Sequence, residues 1–437
     1  MLNEQRAASR ATHRSYNPAT APWRAIAMSL VGITCLVFGL VQPVEAETVV
    51  ATDGAPGQPS SGSLGAIRVA HMPSVTSSGD GLGGGTGTTQ SPSLVGSFNI
   101  AINPGATLSL NSDALAAFNR AAAQWMALIT DPITVNIDAD LEPLLPTNVI
   151  GSADSVLLTE EFDLARNALV ADSAGEFDDG IVAHLPTNAQ FSGLIPNEDE
   201  GVAEGEEFGL NGQIVATKAN FKAMGFPGLD TEFGATDGTI TFSTNFSFDY
   251  DNSDGITPGR MDFETVAAHE IGHILGFISI VDTVDQLLEN GETDAIPVTP
   301  IDLFSFAADL PGYNPSNASE FTTFSRLLTP GYARILDQIN PADDSDAEIP
   351  LSEASFTVGG VVSGDGRQAS HWKDNNLTGT FIGMMDPTLN NGEMWQITDS
   401  DIRALDLIGY DIVVPEPTTL ILMATGALVV ARRRRRR

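Results

Sequence analysis

Apolar positions along the chain recur with two periods, and each period predicts its own kind of element. Phe98-Asn99-Ile100-Ala101-Ile102 alternates apolar and polar residues, and Ile133 to Ile137 does the same, which predicts strands with one buried face. Between them Asn111-Ser112-Asp113 caps a helix that runs through Leu128 and presents Leu115, Phe118, Ala122, Trp125 and Met126 to a core, until Asp131-Pro132 breaks it. A further helix is expected over Glu160 to Asp172, a short strand over Gln213 to Thr217 and a helical turn over Lys218 to Met224. Asp237-Gly238 then introduces Thr239 to Phe248, TITFSTNFSF, a strongly alternating strand. Such a strand, placed just before a helix, suits an edge along which an extended peptide can be laid. The next helix is Asp262 to Phe277, DFETVAAHEIGHILGF, with Asp262 as N-cap, Glu264 in the first turn and Gly276 as the stop. Beyond it the pattern is irregular for about a hundred residues, with helical signals only at Leu287-Leu288 and Ile301 to Phe306. A capped amphipathic helix returns at Asp399 to Ile408.

The two ends read differently from the middle. Arg6, Arg10, Arg14 and Arg24 precede an apolar run from Ala25 to Val41, and Val44-Glu45-Ala46 is an AxA-like cleavage site, so residues 1–46 are expected to be a secretory signal. Residues 47–95 are Gly, Ser, Thr and Pro with few large apolar residues, the composition of a flexible linker or propeptide. His71 there is expected to be a solvated loop residue. At the other end, within residues 414–437, Val414-Pro415-Glu416-Pro417 is followed by an apolar stretch from Thr418 to Ala431 and by six arginines, Arg432 to Arg437. This order resembles the PEP-CTERM sorting signal, which in that family is recognised and cut by an exosortase at the surface of Gram-negative bacteria. The resemblance implies export, an exosortase-type partner and transient anchoring in the membrane. The apolar stretch is short for a bilayer core of about 30 Å, and its arginines would stay on the cytoplasmic side. Two subdomains are expected between the ends, at residues 96–276 and 277–413.

Net charge is −35, and removing both ends leaves eleven basic against 53 acidic residues, or −42. A charge this negative argues against nucleic acid or anionic lipid as a partner. The single cysteine, Cys35, lies in the apolar run of the signal, so the exported chain is expected to hold no disulfide and to depend on its core and on bound ions.

The chemistry concentrates at His269, Glu270, His273 and Gly276, the pattern HExxHxxG. On a helix the two histidines stand one turn apart on one face, so their imidazoles can converge on one cation. Zn²⁺ held by nitrogen ligands at about 2.0–2.1 Å lowers the pKa of a bound water to about 7, and Glu270, next to the first ligand, is placed to act as general base. Catalytic zinc needs a third protein ligand. The chain has six histidines; His13 is in the signal, His71 in the linker, and His184 ends an apolar run where a structural role is expected. That leaves His371, in GDGRQASHWKDNN, with Asp282 close behind the helix and Glu353 as rival ligands. The acidic loop DYDNSDGITPG, with Asp249, Asp251 and Asp254, is a candidate for structural Ca²⁺, although it lacks the glycine an EF-hand requires.

HEIGHILGF, followed much later by SHWKDNN, MMDP and DLIGYD, resembles the leishmanolysin-like metzincins, and resembles still more the exported bacterial metalloproteases that carry a PEP-CTERM tail. One departure is plain: the metzincin pattern HExxHxxGxxH would place its third histidine at position 279, which is Ser279. The resemblance implies an α+β, zincin-like fold, with a twisted mixed sheet, an active-site helix and an irregular, partly helical C-terminal subdomain. It implies His269, His273 and His371 as zinc ligands, Glu270 as general base and Met385 as the turn methionine, with Met384 as its competitor. The expected function is a secreted zinc endopeptidase acting on proteins or peptides. The rival expectation is a surface or extracellular-matrix binding protein in which the zincin fold is catalytically silent.

Overall fold

The computed structural model describes residues 47–51, 70–71, 97–145, 147–174, 180–197, 201–337, 348–353 and 364–413. The expected signal with Cys35 and His13, most of the Gly/Ser/Pro-rich stretch and the sorting tail lie outside the described residues. Among those described, no helix is long and apolar enough to cross a membrane.

The fold mixes helices with several sheets. Its largest sheet has six strands: β1 (Glu47–Ala51), β2 (Asn99–Pro104), β3 (Thr134–Glu142), β4 (Val149–Ser155), β5 (Gly238–Ser243) and β6 (Thr388–Leu389). Their order across the sheet is β6-β1-β4-β5-β3-β2. β2, β3 and β5 run parallel to one another, β4 runs antiparallel to β5, and β1 runs antiparallel to β4 and parallel to β6. The alternation legible in the sequence is realised in β3, where Val135, Ile137, Ala139 and Leu141 are buried and the residues between them are not.

Two helices cover one face of this sheet. α1 (Ser112–Met126) starts where Asn111 accepts the Ala114 N–H, and it buries Ala114, Ala117, Phe118, Ala121, Ala122 and Trp125. α2 (Phe263–Leu275) is buried along its whole length and packs against α1 and β4. Aromatic rings join the layers: Phe118 lies edge-to-face 5.1 Å from Phe242 of β5, and Phe242 lies tilted 4.5 Å from Phe263 at the start of α2. The Trp125 indole donates to the Ala268 carbonyl at 2.9 Å, which fixes how far along one another the two helices sit.

Several expected elements shift. Glu160 and Glu161 end a strand, Leu157–Glu161, so the following helix begins only at Phe162. The run from Thr239 to Phe248 is not one strand: β5 stops at Ser243, residues 244–247 turn, and Phe248–Asp249 pairs elsewhere. Nor is it an edge, because β5 is bonded to β3 on one side and β4 on the other. Alternation reports that one face is buried, and it carries no information about which neighbours a strand has. Within the stretch that reads as linker, Glu47–Ala51 forms β1 and Ala70–His71 pairs with Leu158–Thr159.

Residues 277–413 hold short elements, among them α3 (Val281–Asn290) and α4 (Asp399–Leu407). α4 opens with a reciprocal cap in which the Thr398 hydroxyl receives the Asp401 N–H and the Asp401 carboxylate receives the Thr398 N–H. This half returns to the large sheet through β6, which follows Met384-Met385-Asp386-Pro387 directly.

Candidate metal centre

α2 owes its start and stop to two residues. Asp262 accepts from both the backbone N–H (3.2 Å) and the hydroxyl (2.7 Å) of Thr265, and Gly276 closes the helix at φ 120°, a value that side-chain-bearing residues rarely adopt. One turn of this helix carries His269 and His273, and His371 arrives from the far half of the sequence. The ring centroids lie 4.8, 5.1 and 4.9 Å apart for the pairs 269–273, 269–371 and 273–371. His269 Nε2 is 3.1 Å from His273 Nε2 and 3.2 Å from His371 Nε2. Donors on a tetrahedral Zn²⁺ with bonds of about 2.05 Å stand about 3.3 Å apart, so the trio has the spacing such an ion requires.

The hydrogen bonds behind the rings fix their chemistry. His269 Nδ1 faces the Met384 carbonyl at 2.8 Å, His273 Nδ1 the Phe277 carbonyl at 2.9 Å and His371 Nδ1 the Gln368 carbonyl at 3.3 Å. A carbonyl oxygen only accepts, so each Nδ1 carries the proton and each Nε2 presents a lone pair. Burial, reinforced by His273, holds His269 well below the usual histidine pKa, and burial together with His273 and His269 does the same to His371. Neutral rings with three converging lone pairs repel one another at this distance unless a cation lies between them, so the donor set suits a metal ion. Among the described residues this is the one group of three or more histidine, cysteine or acidic side chains close enough to share an ion.

Glu270 is 0 % exposed, and its carboxylate lies against the backbone of Gly151 in β4, where a Cβ would come within 2.5 Å of Oε1. Met385 fills the other side of the helix: its sulfur occupies the space that a side chain on Gly272 would take. Met384 contributes its carbonyl, which receives His269 Nδ1. Both methionines are thus at the site, and Met385 is the one whose side chain lies under the helix.

The rival ligands have other tasks. Asp282 accepts from the N–H of Ala369 (2.5 Å), the N–H of Ser370 (2.9 Å) and the Ser370 hydroxyl (2.5 Å), so its carboxylate grips the loop that presents His371. Glu353 pairs with Lys373. Ser279 donates its hydroxyl to Asp302 at 2.6 Å and its N–H to the Ser370 hydroxyl at 2.9 Å. His184 is exposed on a short turn, outside the trio. In the acidic loop, Asp249 accepts from the N–H groups of Asp251 and Thr257, and Asp251 from that of Ser253, a loop closed by its own backbone.

One supporting residue had no signal beyond its role as a helix cap. Asp401, fully buried, accepts from the Trp372 indole at 2.7 Å, from the Met384 N–H at 2.7 Å and from the Met385 N–H at 3.3 Å. It therefore ties the residue after His371 to the turn that orients His269. Burial raises its pKa, against the pull of these donors.

Residues 413–436 match the PEP-CTERM protein-sorting motif. The chain is thus an exported protein that an exosortase sorts to the surface of a Gram-negative bacterium. No curated protein and no solved structure matches it.

Proposed function

We propose that this protein is a secreted zinc endopeptidase of the metzincin type, with His269, His273 and His371 as ligands and Glu270 as general base. The observation that carries the reading is the convergence of three Nε2 lone pairs beside a buried glutamate on the same helix. Bound zinc would supply a Lewis acid for the scissile carbonyl and a water of lowered pKa. Glu270 takes the proton of that water and returns it to the leaving amine. Gly151, having no side chain, leaves room for the carboxylate against β4. The strand that aligns the substrate is β4 rather than Thr239 to Phe248: β4 lies beside Glu270 and its outer neighbour is the five-residue β1, whereas β5 is held between β3 and β4.

The test is metal content together with casein zymography. The protein should bind one equivalent of zinc and clear casein, and a chelator should abolish the clearing. Glu270→Gln should keep its zinc and lose at least about a hundredfold in rate. Zinc content with no cleavage under any condition would favour a silent zincin-fold surface protein, and a Glu270→Gln variant that cuts at the wild-type rate would refute the base assignment.

A further inference from the structure

The sheet is continuous from β4 to the segment after the methionine turn only because β1 lies between them. Val50 and Ala51 pair in parallel with Thr388 and Leu389 on one side, while Glu47, Thr48, Val49 and Val50 pair antiparallel with Ala153, Ser152, Gly151 and Val149 on the other. With β1 withdrawn, β4 and β6 would stand about 9–10 Å apart, twice the interstrand spacing, each with a row of backbone groups facing the gap. That gap is one extended chain wide. It runs past the candidate centre, because Val49 is paired with Gly151, the residue against which the Glu270 carboxylate lies. In this form His269, Glu270, His273 and His371 are at most 1 % exposed, sealed from the water and substrate that the proposed chemistry requires.

We propose that Glu47–Ala51 is an intramolecular pseudo-substrate, a segment of the chain's own N-terminal region that occupies the peptide-binding slot and that an incoming extended peptide must displace. The proposal rests on the endopeptidase reading for what the slot is used for, and on strand pairing alone for what fills it. Two features fit a displaceable occupant better than a permanent strand. β1 is only five residues long, and on its β6 side it is paired at just two residues, Val50 and Ala51. A slot filled from within raises the apparent Kd for any outside peptide by the reciprocal of the fraction of time it is open.

The test reads binding rather than turnover, so it is independent of whether the protein is a protease. The full exported chain carrying Glu270→Gln is compared with the same chain carrying Val49→Pro as well, which removes a backbone donor from β1. The probe is a labelled acetyl-Glu-Thr-Val-Val-Ala amide. Val49→Pro should bind it about tenfold or more tightly than the parent. Amide exchange at residues 149–153 should quicken in Val49→Pro and slow again with peptide, while α2 stays protected throughout. Equal binding by both proteins, or loss of protection in α2 together with β4, would overturn the proposal. Should Val49→Pro not fold, a specific cleavage sequence is placed at residues 56–60 and cut after folding. Release of the short N-terminal fragment on gel filtration with the fold intact supports the pseudo-substrate, and retention of that fragment would make β1 a structural strand.

Discussion

Asp282 is the residue whose role the structure changes most, and its removal tests the geometry directly. Its carboxylate receives three hydrogen bonds from residues 369 and 370, all buried. Bonds to a charged acceptor contribute about 1.5–3 kcal/mol each, and a stranded buried donor costs about 1–3 kcal/mol, but water entering the loosened loop recovers part of this. Asp282→Ala should therefore cost about 2–4 kcal/mol locally. Part of that cost falls on ordering the loop that presents His371, and removing such an outer partner weakens metal binding by about 10–100-fold. Competition against chelators of graded affinity measures the loss, and the absorption spectrum of the Co²⁺-substituted protein identifies its cause. At saturating Co²⁺, Asp282→Ala should show the wild-type spectrum, because all three imidazoles remain, whereas His371→Ala should not. If Asp282→Ala altered the spectrum as His371→Ala does, the carboxylate would be a ligand and the reasoning would fail. Wild-type affinity in Asp282→Ala would sink it equally.

Two further outcomes follow from packing and from burial. Gly272→Ala places a methyl group on the Met385 sulfur and should destabilise by about 1–3 kcal/mol in chemical denaturation; Met385→Ala in the same chain should recover most of the loss, and no recovery would show that Met385 is not what fills that space. Burial, with the neighbouring charge of Asp411, pushes the Asp131 carboxyl up to about 8. The folded chain then holds a proton that the unfolded chain releases near pH 4, so this group's contribution is favourable at low pH and is lost as pH rises from about 4 to about 8. Asp131→Asn, which keeps an acceptor for the Asp411 N–H, should flatten that slope, so the variant gains on wild type between about pH 5 and pH 8 in urea denaturation. A difference that does not change across that interval would contradict the raised pKa.

The sequence by itself determined what is local. Asp262 and Gly276 bound a helix whose 3.6-residue turn puts His269 and His273 on one face, and no tertiary information is needed for that. Asn111 and Asp399 mark two other helices to within a residue or two, because caps are short-range hydrogen bonds. The sorting tail is legible for the same reason, as a linear motif read by composition and order. What the tertiary structure alone decided is long-range. Elimination among six histidines could nominate His371 but could not separate it from Asp282, since both lie C-terminal to the helix and the choice turns on which side chain faces Nε2 of His269 and which faces backbone amides. Asp401 lies in the first turn of the helix expected at Asp399 to Ile408, and only packing reveals its grip on Trp372 and the methionine turn. The placement of β5 inside the sheet and of Glu47–Ala51 across the slot likewise depends on strand order, because pairing partners far apart in sequence leave no periodic trace in either strand.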